Sequence, residues 1–136
     1  MLRKILLRTF LGLVALVTAA MLLQMVASET GEVVVVTTDA GGGESATTRL
    51  WVVDHADAQW LRVGVEGAGW FGRMTSNPVI SMQRGDTTAE YTAVPVPAAI
   101  STVRGLMREK YGWRDSYIEF LFGSKAEAMA LRLEPL

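Results

Sequence analysis

Thr47-Thr-Arg-Leu-Trp-Val-Val-Asp54 and Gln59-Trp-Leu-Arg-Val-Gly-Val65, joined by His55-Ala-Asp-Ala58, set the reading of this chain. Both stretches are rich in β-branched and aromatic residues and alternate in polarity around a short polar break, the pattern of a β-hairpin. Pairing Asp54 with Gln59, as a two- or four-residue loop does, sets Trp51 opposite Arg62, Val53 opposite Trp60 and Arg49 opposite Gly64. A three-residue loop would shift that register. Side chains alternate across a strand, so Arg49, Trp51, Trp60 and Arg62 share one surface while Leu50, Val52, Leu61, Val63 and Val65 form the other. The aliphatic surface belongs to a core. The opposite surface carries two guanidinium groups and two indoles beside a glycine, and arginine over tryptophan is a stack worth about 0.5–2 kcal/mol. Such a face suits a flat anionic ligand, with indoles bounding a ring and arginines holding phosphate or carboxylate through forked hydrogen bonds. It also suits a sheet face covered by a helix or by a second subunit.

Further strands surround this hairpin. Glu32–Thr38 is a β-branched run of strand length, followed by a Gly-rich stretch, Asp39–Ala46, that reads as a flexible connection. Val79–Arg84 and Thr88–Val94 form a second hairpin across Gly85-Asp86, and Pro95 and Pro97 end the sheet. Ala98–Tyr111 then takes helical period, with Ile100, Val103, Leu106, Met107 and Tyr111 on one face and Gly112 as a stop. Asp115–Phe122 reads as a second short helix, and Glu127–Glu134 alternates again as a closing strand. Six strands with late helices in about 105 residues predict a mainly β domain with some α, a small barrel whose closure removes exposed edges.

The chain of 136 residues has no cysteine, which excludes disulfides, thiolate metal sites and cysteine nucleophiles. Its one histidine, His55, excludes a multi-histidine metal centre, sits in a turn, and is badly placed as a haem ligand. Arg3, Lys4 and Arg8 are the only charges in residues 1–28, so the remainder carries 10 basic against 14 acidic groups. That acidic balance disfavours nucleic-acid binding, which needs a basic stripe. Thr9–Ala27 is uncharged, with Gln24 its one strongly polar side chain. As a helix it reaches about 28 Å, close to a bilayer's hydrocarbon thickness. It has no polar stripe of the kind a soluble core helix carries. The expectation is a membrane anchor through residues 9–27, with a secreted form after signal cleavage as the alternative. Basic residues before the span and Glu29 and Glu32 after it predict a cytoplasmic N-terminus and a domain on the far side. The chain thus divides into an anchor or signal segment (1–28), a first strand and Gly-rich connection (29–46), and a barrel domain (47–136) that takes in the strand at 32–38.

Gly64, Gly67 and Gly69 let backbone approach a ligand, and a short helix over Trp70–Ser76 would point its N-terminus, with Arg73 one turn along, at an anion. The spacing is neither a P-loop nor a Rossmann fingerprint. Acid–base groups are sparse. Tyr91, Tyr111 and Tyr117 read as core residues with satisfied hydroxyls, Asp115 and Glu119 as a solvated helix face, Arg84-Gly85-Asp86 as a turn.

Thr48-Arg-Leu-Trp-Val-Val53, Trp60-Leu-Arg-Val-Gly64, Gly69-Trp70, Asn77-Pro78-Val79, Tyr111-Gly112 and the ending Ala130-Leu-Arg-Leu-Glu-Pro135 resemble the deazaflavin-dependent nitroreductase family. That family is part of the flavin-binding split-barrel superfamily that includes pyridoxamine-phosphate oxidase. The resemblance covers about residues 47–136 and implies a six-stranded split β-barrel with short helices, often dimeric, holding FMN or the deazaflavin coenzyme F-420. The implied activity is hydride transfer to quinones, nitro compounds or other enones as small-molecule electron acceptors. It gives Arg62, Gly64, Gly67, Gly69 and Trp70 the cofactor phosphate and ring; Arg49, Trp51, Trp60 and Arg73 join them on charge and face. The family's loop after the third strand carries lysine and further basic residues, where this chain has Val65-Glu66. The alternative in a different class is a cofactor-free anchored barrel whose Trp–Arg face is a subunit contact.

Overall fold

The structure, a computed structural model, describes residues 1–29, 31–64, 69–122 and 128–136. Helix α1 (Leu2–Glu29) precedes strands β1 (Val33–Gly41), β2 (Glu44–His55) and β3 (Ala58–Gly64), helix α2 (Gly69–Ser76), and strands β4 (Val79–Arg84) and β5 (Thr87–Pro95). A single 3-10 turn (Pro97–Ala99), helices α3 (Ile100–Tyr111) and α4 (Trp113–Phe122) and strand β6 (Ala128–Pro135) complete it. The six strands close into an antiparallel barrel in the order β1-β2-β3-β6-β5-β4.

The decisive hairpin has the expected register: Asp54 pairs with Gln59, Val53 with Trp60 and Val52 with Leu61. Its loop is the two residues Ala56 and Asp57, both with positive φ (51° and 60°), as a mirror-image type I turn requires to match strand twist. Neither residue is glycine or asparagine, so each carries a left-handed penalty that Asn-Gly avoids. Replacing Ala56-Asp57 by Asn-Gly should therefore stabilise the fold by about 1 kcal/mol, read as a raised denaturation midpoint.

One expectation is corrected. The Gly-rich stretch 39–46 is a hairpin tip and not a flexible connection: β1 runs to Gly41, β2 begins at Glu44, and Gly42-Gly43 turn between them at φ of 63° and 80°. The glycines serve a tight reversal, with a local irregularity between Asp39 and Gly41. The strand at 32–38 is accordingly integral to the barrel, pairing with β2 on one side and β4 on the other.

Val34, Val36, Val52, Leu61, Val63, Ile80, Met82, Ala93, Leu131 and Leu133 fill the barrel interior. Each fully buried aliphatic side chain of this kind contributes about 1.5–3 kcal/mol. Met74, with Phe71 packed against the same cluster, brings α2 onto this core. Elsewhere the inward series ends in polar residues. Glu32, Asp54, Gln59 and Arg84 continue the parity of Val34, Val52, Leu61 and Met82 by one step. Arg84 grips Glu32 (Nη2–Oε1 2.8 Å, Nε–Oε2 3.0 Å) and Asp54 (Nη1–Oδ1 and Nη2–Oδ2, both 2.8 Å), and donates to Gln59 Oε1 at 2.9 Å. Gln59 in turn donates to the Tyr91 hydroxyl. A charged plug thus ends the apolar interior.

Arg84, read from sequence as part of a turn, is the centre of that plug. Its guanidinium holds both carboxyl groups below their ordinary values of 4.5 (Glu32, helped by Lys110) and 3.8 (Asp54), and is itself held up. Depressed carboxyl values stabilise the fold fully above the ordinary range and lose that contribution as pH falls through the lowered values. Glu32 and Asp54 are 39% and 62% exposed, so screening keeps the effect below about 1 kcal/mol. Arg84→Gln should accordingly flatten the acid limb of a stability–pH curve while leaving its shape at neutral pH unchanged.

Candidate functional site

The outer face of β2, β3 and β6 is where the hairpin's Trp–Arg surface lies, and α3 covers part of it. Val103, Met107 and Tyr111, on successive turns of α3, pack against Val53, Trp60 and Ala130. Trp60 is buried there, and its indole N–H donates to the His55 carbonyl at 3.0 Å. The Trp51 ring stacks on Tyr111 with centroids 4.2 Å apart and planes 9° from parallel. These two indoles therefore act first as packing surface for a helix.

Tyr111 does more than stack. Continuing the β1–β2 register by one residue would pair Glu32 with Val52, and the Tyr111 hydroxyl stands in for that rung. It accepts from the Val52 N–H at 3.1 Å and donates to the Glu32 carbonyl at 2.5 Å. The Lys110 ammonium serves the Val52 carbonyl at 2.7 Å and Glu32 Oε1 at 2.6 Å. Burial pushes the Tyr111 hydroxyl above its ordinary value. Close by, Gly31 turns the chain between α1 and β1 at a φ of +85°, and a Cβ there would meet the Tyr111 ring at 3.2 Å.

Arg62 points from β3 to α4, where its Nη2 meets Asp115 Oδ1 at 2.7 Å. Asp115 is 2% exposed, contrary to the solvated face its spacing from Glu119 suggested. Arg108 of α3 lies 3.6 Å from its other oxygen and also pairs with Glu119. The carboxylate ties β3, α3 and α4 together. Sequence alternation shows that Arg62 leaves the core face; nothing in it signals which residue, 53 positions on, will meet the guanidinium.

Arg49, Trp51 and Arg62 do converge. With Val33, Leu50, Met107 and Ile118 they line a cleft of about 210 Å³ between the sheet and the two helices. Arg49 is exposed at its edge. The other candidates fall elsewhere or outside the described residues. Gly64 ends β3 in the open, and a Cβ built on it meets nothing within 4 Å. Gly67 lies outside the described residues, Gly69 starts α2, and Trp70 is described only as backbone within that helix. Arg73 donates through Nε to the Thr38 hydroxyl at 2.9 Å and does not line the cleft. His55 is exposed in the hairpin turn and borders no part of it. Among the described residues, no three His, Cys, Asp or Glu side chains form a metal cluster.

No family model and no curated protein matches the sequence. Solved structures do. The chain is similar to an F-420-H2-dependent reductase (22% identity, TM-score 0.59, covering 75% of this chain and 93% of that one). It is also similar to a Listeria innocua protein assigned as a pyridoxamine 5′-phosphate oxidase (12% identity, TM-score 0.54, 82% and 89%). A third is the haem storage protein HutZ of Vibrio cholerae (15% identity, TM-score 0.59, 81% and 85%). The chain thus shares the fold of these structures, a six-stranded barrel with several helices.

Proposed function

We propose that this chain is a membrane-anchored oxidoreductase that holds FMN or the deazaflavin coenzyme F-420 on the outer barrel face and passes hydride to a quinone-like or nitro acceptor. The observation that carries the reading is the cleft where two guanidinium groups flank the Trp51 indole, on a fold shared with a deazaflavin-dependent reductase. When bound, the cofactor supplies the hydride, so the protein's task is to hold its ring and anionic tail; a site poor in acid–base groups fits that division. Arg49 and Arg62 suit phosphate or carboxylate, Trp51 suits the ring edge, and the open space at Gly64 admits close approach to backbone. No imidazole borders the cleft, which favours a flavin over haem. A volume of about 210 Å³ is below the 300–1,000 Å³ typical of ligand sites, and a second copy completing the wall is part of the proposal.

Helix α1 is the proposed anchor. It is long and apolar enough to cross a bilayer, and only 6% of the residues in its most apolar window are buried. Arg3, Lys4 and Arg8 on its near side favour a non-cytoplasmic barrel, with release after cleavage as the alternative. Tethering would hold the site beside lipophilic quinones.

The test is a fluorescence titration of the chain in detergent micelles with each cofactor. Micromolar binding of one is expected. Arg49→Ala should weaken it about tenfold, roughly 1.4 kcal/mol, because the guanidinium sits at the exposed edge where a phosphate would enter. No binding of either at tens of micromolar leaves a second reading, a cofactor-free barrel acting as a binding module. That reading has its own support: Trp51 on Tyr111, Trp60 under α3 and Arg62 on Asp115 are all engaged within the chain.

A further inference from the structure

Helix α4 has two unlike sides. Asp115, Ile118 and Glu119 face the barrel: Asp115 meets Arg62, Ile118 lines the cleft and Glu119 pairs with Arg108. Helical spacing puts Trp113, Tyr117, Phe120 and Leu121 on the opposite side. There Trp113 is 49%, Phe120 83% and Leu121 40% exposed. Three large apolar side chains in one exposed stripe on ten residues are not the surface of a helix that ends in water.

Tyr117, in the middle of that stripe, identifies its surroundings. Its hydroxyl donates to the Ala20 carbonyl of α1 at 3.0 Å. The side of α1 turned toward the domain is Ala20, Gln24 and Ala27, the least exposed positions of the apolar stretch and one face by their spacing. Gln24, its one strongly polar side chain, is on this face. Away from this face, the stretch from Phe10 to Val26 exposes mainly leucine, valine, methionine and phenylalanine, and α4 meets it at the Tyr117 bond.

We infer that α4 is an interfacial helix, laid on the bilayer with Trp113, Phe120 and Leu121 among the lipids beside the anchor. The inference rests on the reading of α1 as a membrane anchor. Ala20 precedes Ala27 by seven residues, so the Tyr117 bond is about 10 Å below the end of the apolar stretch. Amphipathic helices at membrane surfaces bury their apolar face by about 5–10 Å. The two depths agree, and tryptophan and tyrosine are the side chains favoured at that level. The Arg114 guanidinium lies 5.1 Å from the Trp113 ring. The same helix carries Asp115 and Ile118, so the membrane would set the position of one wall of the cleft.

The chain has no cysteine, so single substitutions give unique spin-label sites. Phe120→Cys and Leu121→Cys alter exposed positions of α4; Leu16→Cys reports the middle of α1, and Glu44→Cys the far hairpin tip. Each labelled chain is reconstituted in phosphatidylcholine–phosphatidylglycerol vesicles and saturated in the presence of oxygen or a water-soluble nickel chelate. Labels at 120 and 121 are expected to favour oxygen and to lie about 5–10 Å inside the headgroup–acyl boundary, between a deep label at 16 and an aqueous label at 44. An aqueous signal at 120 and 121 with a deep label at 16 overturns the interfacial helix and leaves the anchor standing. Low accessibility to both reagents at 120 and 121 overturns it in favour of contact with a second copy. A label at 16 open to the nickel chelate overturns the anchor and this inference with it.

Discussion

Asp115→Asn should cost about 2–3 kcal/mol of stability. The substituted amide removes the negative charge that Arg62 meets at 2.7 Å and Arg108 at 3.6 Å between β3, α3 and α4, while Arg108 keeps its pair with Glu119. Breaking a buried pair by neutralising one partner typically costs 3–5 kcal/mol. Asp115 is 3% and Arg62 23% exposed at the side chain, so water reaches one partner and the lower value follows. The measurement is a urea midpoint in micelles at unchanged slope. The same variant separates the two functional readings. If Arg62 holds an anionic cofactor, freeing it from Asp115 raises affinity for FMN or F-420 even as the fold weakens, by up to about tenfold. If Arg62 is a structural tie, only the loss of stability appears.

The second large effect concerns a single oxygen. Tyr111→Phe keeps the ring stacked on Trp51 and removes the hydroxyl that bridges Val52 and Glu32. Two backbone groups then lose their partner in a place where Tyr111 itself is 2% exposed. Leaving buried polar groups unsatisfied costs about 1–3 kcal/mol each, and Lys110 still serves the Val52 carbonyl, so about 2 kcal/mol is expected. The pH dependence gives a second signature. The hydroxyl ionises above its ordinary value of 10 because burial favours the neutral form. A raised value means stability that is complete below pH 10 and lost as pH climbs through the shifted value. The phenylalanine variant should lack that alkaline limb. A tyrosinate absorbance titration of both proteins, with circular dichroism alongside, checks it.

Strand alternation and turn length made the barrel legible. Asp54 and Gln59 could be paired on paper because the polar break between them left few loop lengths, and the register then followed from a period of two. The composition of the Trp–Arg face was equally visible. What covers it was not. Alternation says which side of a sheet a residue occupies and nothing of which helix arrives there, so the Arg62–Asp115 tie and the Tyr111 bridge stayed hidden across more than 50 residues of chain. The same distance blindness made Asp115 look solvated. Arg84 does end its strand beside the Gly85-Asp86 turn, as its pattern indicates, but the turn masks its partners: parity with Ile80 and Met82 turns it inward to Glu32 and Asp54. Glycine misled at 41–43, where a run that resembles a linker is a tight reversal.

The Arg84 cluster also decides the traffic this molecule can bear. Among the described residues, a cylinder stoppered by ionised groups at one mouth and packed with valine, leucine and methionine along its bore leaves no axial passage for a guest. On the proposed membrane-anchored reading, a lipophilic acceptor would travel around the outside of the staves, which leaves the outer helices to set selectivity.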